Sequence, residues 1–124
     1  MSERQLTKCE LELMEIVWRR GRVTVQEVAD DLQRTLAYTT VMSTMNTLDK
    51  KGVVRRCGKT GRAFIYEAVV LKDDVRRAMT DDLTGALYEG SVKSLMMSLL
   101  GSDSMSPKDI TELKAAIQKL ESGQ

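Results

Sequence analysis

The sequence predicts a mainly α-helical protein with a small β-hairpin, arranged as a winged helix-turn-helix followed by a helical arm. Three observations predict this class. Apolar residues recur at helical spacing through most of the chain, two β-type runs flank a glycine-containing link near residue 60, and the helices before that hairpin are closely spaced. The order helix, short strand, helix, helix, hairpin is that of a winged helix-turn-helix. A chain of 124 residues accommodates one such domain, residues 1–70, and a C-terminal segment, residues 71–124.

The first helix begins at a capping box. Thr7 is followed by Glu10, the spacing at which the two side chains cap each other's backbone N–H groups. Apolar residues then recur at helical spacing, which predicts helix 1 from Lys8 to Arg20, closed by Gly21.

A second capping box, Thr24 with Glu27, begins helix 2 after a brief strand at Val23. The apolar spacing gives this helix a length of about ten residues. Gln26 lies near its N-terminus, where free backbone N–H groups favour anions, so we expect it to contact a phosphate.

Helix 3 has one packing face and one polar face. At 100° per residue, Val41, Met45 and Leu48 fall within about 40° of one line. The opposite side carries short hydrogen-bonding side chains and a lysine: Thr39, Ser43, Asn46 and Lys50. Gly52 ends the helix, because glycine tolerates the left-handed conformation that follows a helix C-terminus.

A β-hairpin follows helix 3. The runs from Val53 to Cys57 and from Arg62 to Ala68 have strand character, and Gly58 to Gly61 has hairpin length and turn chemistry. Phe64 and Tyr66 share a face by strand alternation, and we expect them to pack beneath the small sheet rather than to stack on bases.

Basic residues are concentrated around this hairpin. The span from residue 50 to residue 62 has no acidic residue and six basic ones, namely Lys50, Lys51, Arg55, Arg56, Lys59 and Arg62. The net charge of the whole chain is only +1, so the charge is unevenly distributed. A polar helix beside a basic hairpin is typical of a reader of the DNA major groove with a wing that grips the backbone. The charge run alone fits a solvated surface equally well.

Individual contacts can be predicted from this arrangement. We expect contacts with base edges from the outer face of helix 3: Thr39, Thr40, Met42, Ser43, Asn46 and Thr47. Asn46 is the foremost of these, because an amide pairs bidentately with adenine, and Met42 fits a thymine methyl group. We expect phosphate contacts from Gln26, Tyr38, Lys50, Lys59 and Arg62. Tyr38 has two interpretations, a hydroxyl bonded to phosphate or packing against helix 2.

The C-terminal segment predicts three amphipathic helices. The first is long, the second runs from Val92 to a stop at Gly101, and the third begins at Ser106 with Pro107 in its first turn. Their apolar faces exceed what a segment of this size covers by itself, so we predict a homodimerisation arm. Its predicted contacts are Val75, Met79, Leu83, Leu87, Leu95, Met96, Leu99, Leu100, Ile110, Leu113, Ile117 and Leu120. The alternative is that these helices fold back on their own winged helix.

The composition argues against other classes of function. The chain has no histidine, the commonest general base, no phosphate-binding glycine loop, and no activated nucleophile that we recognise, so we expect no catalytic residue and no cofactor. Cys9 and Cys57 alone make a poor metal site, so we expect no metal. No apolar run reaches membrane-spanning length and the N-terminus has no signal-peptide core, so we expect no membrane insertion and a cytoplasmic location.

Nearly the whole chain resembles the penicillinase and methicillin-resistance repressors, the BlaI/MecI type, which have copper-responsive relatives. The similar stretches are LTKCELELMEIVW, VTVQEVADDL, LAYTTVMSTMNTLDKKGVVRR, GRAFIYEA and LYEGSVKSLM. This resemblance implies a dimeric repressor whose winged helices bind a palindromic DNA operator and whose C-terminal helices hold the dimer.

The resemblance also implies how repression ends. In the antibiotic branch, a pathway from an upstream membrane sensor-protease cuts the repressor in its arm at an Asn-Phe bond. The aligned position here is Ser98-Leu99, a departure that weakens the prediction of cleavage at this bond. The C-terminal cysteine cluster of the copper branch is absent, which argues against metal induction.

Two rival functions fit part of the same pattern. One is a protein-interaction module, in which the winged helix binds protein and the arm is a scaffold. The basic cluster argues against it. The other keeps DNA binding but releases it through a small ligand seated between the arm and the winged helix.

Overall fold

The computed structural model describes residues 5–123. Within that range the helices and strands follow the predicted order of a winged helix-turn-helix and a helical segment. The elements are α1 (Lys8–Arg20), β1 (Arg22–Val23), α2 (Val25–Asp31), α3 (Tyr38–Lys50), β2 (Val54–Thr60), β3 (Ala63–Ala68), α4 (Lys72–Leu87), α5 (Val92–Leu100) and α6 (Pro107–Glu121). The predicted fold class is confirmed.

The capping residues predicted from the sequence determine where the helices begin. Thr7 and Glu10 form a complete capping box at α1, and Thr24 and Glu27 form another at α2. The predicted length of α2 was too great, since it has 7 residues rather than about ten. It ends because Leu32 adopts an extended conformation and its side chain packs against the core from there.

The β-hairpin has a tighter turn than the sequence predicted. β2 continues to Thr60, which pairs with Ala63, so the turn consists of Gly61 and Arg62 alone. Gly61 has a φ of 63°, the left-handed region that a two-residue hairpin turn requires and that glycine adopts without strain. Gly58, predicted as part of the turn, lies inside β2 just after an irregularity in the register between Arg56 and Gly58.

The three strands form one antiparallel sheet in the order β1-β3-β2. The hydrophobic core lies between this sheet and the first three helices. Its residues include Leu13, Val17, Val41, Met45 and Leu48. Tyr66 joins this core with 2% of its surface exposed, as predicted, because β3 is the central strand and presents that side chain to the helices.

The described chain divides into two compact units between residues 82 and 83. The sequence placed the domain boundary at residue 70. The first turns of α4 account for the difference, because Val75 is only 2% exposed and Met79 packs against the same core. Trp18 also donates its indole N–H to the carbonyl of Val70 at 3.0 Å, which fastens the chain before α4 to α1.

The second unit contains the end of α4 with α5 and α6. Ser91 caps α5, and Ser106 forms a capping box with Asp109 at α6. Neither α5 nor α6 has a buried residue. Among residues 5–123, no helix is long and apolar enough to cross a membrane.

Candidate nucleic-acid interface

The outer face of α3 is the centre of the candidate interface. Val41, Met45 and Leu48 have no exposed surface and hold the helix against the core. On the other side, Thr39, Thr40, Met42, Ser43 and Thr47 are exposed and Asn46 is half-buried. The structure therefore brings all six predicted base-contacting residues to accessible positions on one helix.

The hydroxyl groups on this face differ in what they offer a ligand. The hydroxyl of Thr47 donates to the carbonyl oxygen of Ser43 at 3.1 Å, so its proton is already used and its oxygen remains an acceptor. Thr39 and Ser43 have no side-chain hydrogen bond within residues 5–123. Their hydroxyls can donate or accept, so the face combines donors and acceptors of the kind that distinguish base edges.

The six basic residues around the hairpin fall into two groups. Lys51 bonds to Glu10 at 2.7 Å, Arg55 bonds to Glu67 at 2.7 Å, and Arg56 lies 4.0 Å from Asp49. Lys50, Lys59 and Arg62 have no acidic partner in the described part of the chain. These last three are the cations predicted to contact phosphates, and no acidic side chain among residues 5–123 neutralises their charge.

The ion pairs shift the acidic groups that form them. Arg55 hydrogen-bonds Glu67 and holds the pKa of that carboxyl below its ordinary value. For Glu10, burial opposes ionisation, but hydrogen bonds from Lys51 and Thr7 outweigh it and leave the pKa of the carboxyl lowered. Both carboxylates are therefore charged at neutral pH, and they neutralise the two cations that lie beside them.

A groove of about 280 Å³ lies between α3 and the wing. Tyr38, Met42 and Asn46 form its helix side, and Arg56, Arg62 and Phe64 form its wing side. Tyr38 is 46% exposed, and it lines this groove together with Val25 of α2. The groove joins predicted base-contacting and phosphate-contacting residues in one continuous surface.

The wing carries cations stacked on an aromatic ring. The guanidinium of Arg56 lies 4.1 Å from the centre of the Phe64 ring, and the Lys59 ammonium lies 4.7 Å from the same centre. Both distances are within the range of cation–π attraction. Phe64 therefore supports the charged residues of the wing, but with 37% of its surface exposed it lines the groove instead of packing beneath the sheet as predicted.

Gln26 does not line this groove, although its neighbour Val25 does. Its amide donates to the carboxylate of Asp30 at 2.8 Å, one turn further along α2. A phosphate contact there would use the second N–H of the amide, and the nearby negative charge of Asp30 opposes an anion at this position.

The predicted dimerisation residues have different surroundings. Val75 is buried in the core of the first unit, so its side chain has no surface to offer a partner, and Met79 is half-buried against the same core. Leu95 and Leu113 are half-buried within the second unit. The other predicted dimerisation residues are exposed, and Leu120 has the largest exposed fraction, 74%. They are Leu83, Leu87, Met96, Leu99, Leu100, Ile110, Ile117 and Leu120.

The comparisons with known proteins identify the family of this chain. A family model described as "Penicillinase repressor" matches residues 6–119, most of the chain. The chain belongs to the penicillinase repressor family. The penicillinase repressor of Bacillus licheniformis is 26% identical over 93% of this chain and 91% of that protein. The methicillin resistance regulatory protein MecI of Mammaliicoccus sciuri is 23% identical over 93% of this chain and 94% of that protein.

A solved structure of a DNA-binding domain is similar to part of this chain. The solution structure of the DNA binding domain of the repressor BlaI has 29% sequence identity and a TM-score of 0.52, covering 57% of this chain and 88% of that chain. The penicillinase repressor family is a family of transcriptional repressors with a DNA-binding winged helix, not of enzymes. The predicted resemblance is confirmed.

One residue of the interface was missed by the sequence reasoning. Arg56 was counted only as part of the basic cluster, yet its guanidinium lies 3.4 Å from the amide oxygen of Asn46. Arg56 pairs with Tyr66 in the sheet register, so it shares the inward face of the hairpin. The signal that could have identified Arg56 is strand alternation, which places Phe64 and Tyr66 on one face of β3. Assigning Arg56 to that same face also requires the pairing of Arg56 with Tyr66, which the sequence does not give.

Proposed function

We propose that this member of the penicillinase repressor family acts as a homodimer on a palindromic operator. α3 enters the major groove, and Thr39, Thr40, Met42, Ser43, Asn46 and Thr47 face the base edges. The observation that carries the proposal is the surface formed by this face and by Lys50, Lys59 and Arg62, three cations that have no acidic partner among residues 5–123.

Phosphate binding follows from the same distribution of charge. Lys50 lies at the end of α3, and Lys59 and Arg62 lie at the tip of the wing. Cations at both ends of the reading face grip the DNA backbone on either side of the bases that α3 contacts. Tyr38, which is 46% exposed at the start of α3, donates its hydroxyl to a further phosphate in this proposal.

The homodimer is proposed from the second unit. Its large apolar residues remain exposed along α5 and α6, among them Met96, Leu99, Leu100, Ile110 and Ile117. Contiguous apolar surface of this kind marks a protein interface. A second copy is the occupant that also suits the DNA, because two-fold protein symmetry places two copies of α3 on the two halves of a palindrome.

A repressor of this kind works in the cytoplasm, where its operator lies, and is released by an upstream sensor or protease. Cleavage at Ser98-Leu99 requires α5 to open locally, since this bond lies within the helix and the Tyr88 hydroxyl lies 3.2 Å from that of Ser98. A protease that cuts at this bond must therefore first open part of α5.

Footprinting on a genomic fragment that contains the protein's own upstream region tests this function. We expect protection of a two-fold repeat with half-sites about one helical turn, or a multiple of it, apart. Affinity should fall steeply across a salt series because phosphates carry much of the binding. Equal, weak binding to every duplex tested would contradict sequence-specific repression and favour a protein-binding role.

A further inference from the structure

Arg55 and Arg56 are neighbours in β2 but lie on opposite faces of the hairpin. Arg55 pairs with Glu67 across the strands and bonds to its carboxylate at 2.7 Å. Arg56 pairs with Tyr66, a core residue, and so faces α3. Since successive side chains of a strand alternate, these two arginines offer the same chemistry in two different places.

The guanidinium of Arg56 is held from two sides. Beneath it, the Phe64 ring centre lies 4.1 Å away and the Tyr66 ring centre 5.9 Å away. Ahead of it, on α3, the Asp49 carboxylate lies 4.0 Å away and the Asn46 amide oxygen 3.4 Å away. Cation–π attraction and the carboxylate together keep this side chain on α3 rather than free to reach the DNA backbone.

Contact with Arg56 orients the amide of Asn46. A guanidinium has only donors, so it can approach only the amide oxygen and leaves the NH2 group directed away from it. Free of such a partner, an asparagine offers one acceptor and one donor edge, the pair that matches adenine. Beside Arg56, one lone pair of the oxygen is engaged and the positive guanidinium disfavours a second donor there, so the surface presents mainly N–H donors.

We propose that Arg56 is a positioning residue that fixes the Asn46 amide with its NH2 group toward the operator, so that the pair favours guanine at the base step it reads. Guanine presents two acceptors, N7 and O6, in the major groove, whereas adenine presents one acceptor and a donor that the guanidinium would oppose. This inference rests on the proposed function, in which Asn46 faces a base edge, and it replaces the adenine preference expected for an isolated asparagine.

The test measures affinity for operators that carry each of the four base pairs at the step affected by Asn46→Ala, using the full-length protein. We expect the unaltered protein to prefer guanine there. Arg56→Ala should reduce this preference by at least about fivefold or transfer it to adenine. Arg55→Ala is the matched control, because it removes one charge from the adjacent residue without touching Asn46, and it should leave the preference unchanged.

Two further variants separate positioning from a general effect. Phe64→Leu removes the ring beneath Arg56 and should move the base preference in the same direction as Arg56→Ala. The double variant Asn46→Ala with Arg56→Ala should show no more loss of preference than Asn46→Ala alone, since both residues act through one amide. Thermal unfolding of each variant identifies any that is simply less folded.

The possible outcomes distinguish failure of the positioning role of Arg56 from failure of the proposed base contact by Asn46. If Arg56→Ala weakens binding to all four operators equally and lowers the salt slope, Arg56 is a phosphate contact and the positioning role is overturned. A preference for adenine in the unaltered protein overturns it as well. If Asn46→Ala changes the preference at no step, the base-reading function of Asn46 itself fails.

Discussion

At the scale of single residues, the interface depends on which side chains are already engaged within the protein. Lys51 and Arg55 are neutralised by Glu10 and Glu67, so the charge available to DNA is smaller than the cluster of six basic residues indicates. Asn46 is different, because its contact with Arg56 orients the amide and leaves donor capacity free. The consequences can be tested one side chain at a time.

Replacing Asn46 with alanine should cost roughly 1–3 kcal/mol of binding free energy on the preferred operator and relax the preference at one base step. The cost arises because a base-edge hydrogen bond is lost while phosphate contacts remain. Quantitative band-shift titrations on operator and random duplexes measure both effects. Thr44→Ala is a suitable control, since the Thr44 hydroxyl already donates to the Thr40 carbonyl at 2.8 Å. Equal losses on operator and random DNA would contradict a base-reading role.

Neutralising Lys59 as Lys59→Gln should weaken binding to every duplex and reduce the salt slope by about one unit. Lys59 has no acidic partner among the described residues, so a phosphate is the group that its charge can neutralise, with release of a counterion. Titrations over a series of salt concentrations give the slope. Arg55→Gln should change it less, because that charge is already paired with Glu67. An unchanged slope in Lys59→Gln would remove this residue from the phosphate contacts.

At the scale of the elements, an ion pair links the start of α1 to the end of α3. Lys51 donates to Glu10 at 2.7 Å, and the same carboxylate receives the backbone N–H of Thr7 at 2.9 Å. One buried carboxylate therefore closes the capping box of α1 and fixes the residue that follows α3. This link therefore joins the C-terminal end of α3 to the N-terminal end of α1.

Replacing Glu10 with glutamine should lower the free energy of unfolding at neutral pH by roughly 1–3 kcal/mol. The folded protein lowers the pKa of Glu10, so the stabilisation from its charge is complete above the unfolded pKa of about 4.3 and is lost as the pH falls through the folded value. The difference between the two proteins should therefore shrink with acidification. Denaturant unfolding at a series of pH values measures it.

A matched variant for this experiment is Glu15→Gln, which removes an exposed pair with Lys72 on the same helix. This substitution should change the free energy of unfolding by less than about 1 kcal/mol, because exposed ion pairs contribute little to stability. A difference between Glu10→Gln and the unaltered protein that stays constant down to the lowest pH would show that the charge of Glu10 is not what stabilises the fold.

At the scale of the whole molecule, the apolar residues of the second unit determine the proposed assembly. α6 carries Ile110, Ile117 and Leu120 at helical spacing, all exposed. The buried Val75 belongs to the winged helix instead. The proposed dimer therefore depends on the segments after residue 82.

Replacing Ile117 with glutamate should weaken dimerisation by tenfold or more, because burial of an apolar side chain contributes about 1.5–3 kcal/mol and two copies are affected. Sedimentation over a range of concentrations measures the dimer dissociation constant. Gln118→Glu adds the same charge at the neighbouring position and serves as the control. Binding to an isolated half-site should be unchanged in both variants. An unaltered dissociation constant in Ile117→Glu would exclude this face of α6 from the interface.

The sequence by itself determined the fold class, the bounds of α1 and α5, and the exposed face of α3. These features are local. Capping boxes fix helix starts within four residues, and apolar periodicity identifies the buried face of a helix wherever one face packs and the other does not. The exposed positions of Thr39 and Ser43 opposite Val41 follow directly from a helix of 3.6 residues per turn.

Only the tertiary structure decided the rest. The end of α2 and the burial of Val75 depend on what packs in the core, and the two-residue turn at Gly61 depends on the register between β2 and β3; periodicity reveals neither. Pairing of charges is decided in the same way, because Glu10 lies far from Lys51 in sequence and Arg56 reaches Asn46 only when the wing folds beside α3. The sequence gives the charged and polar side chains of the chain. The tertiary structure determines which of them pair with each other and which remain free to contact DNA.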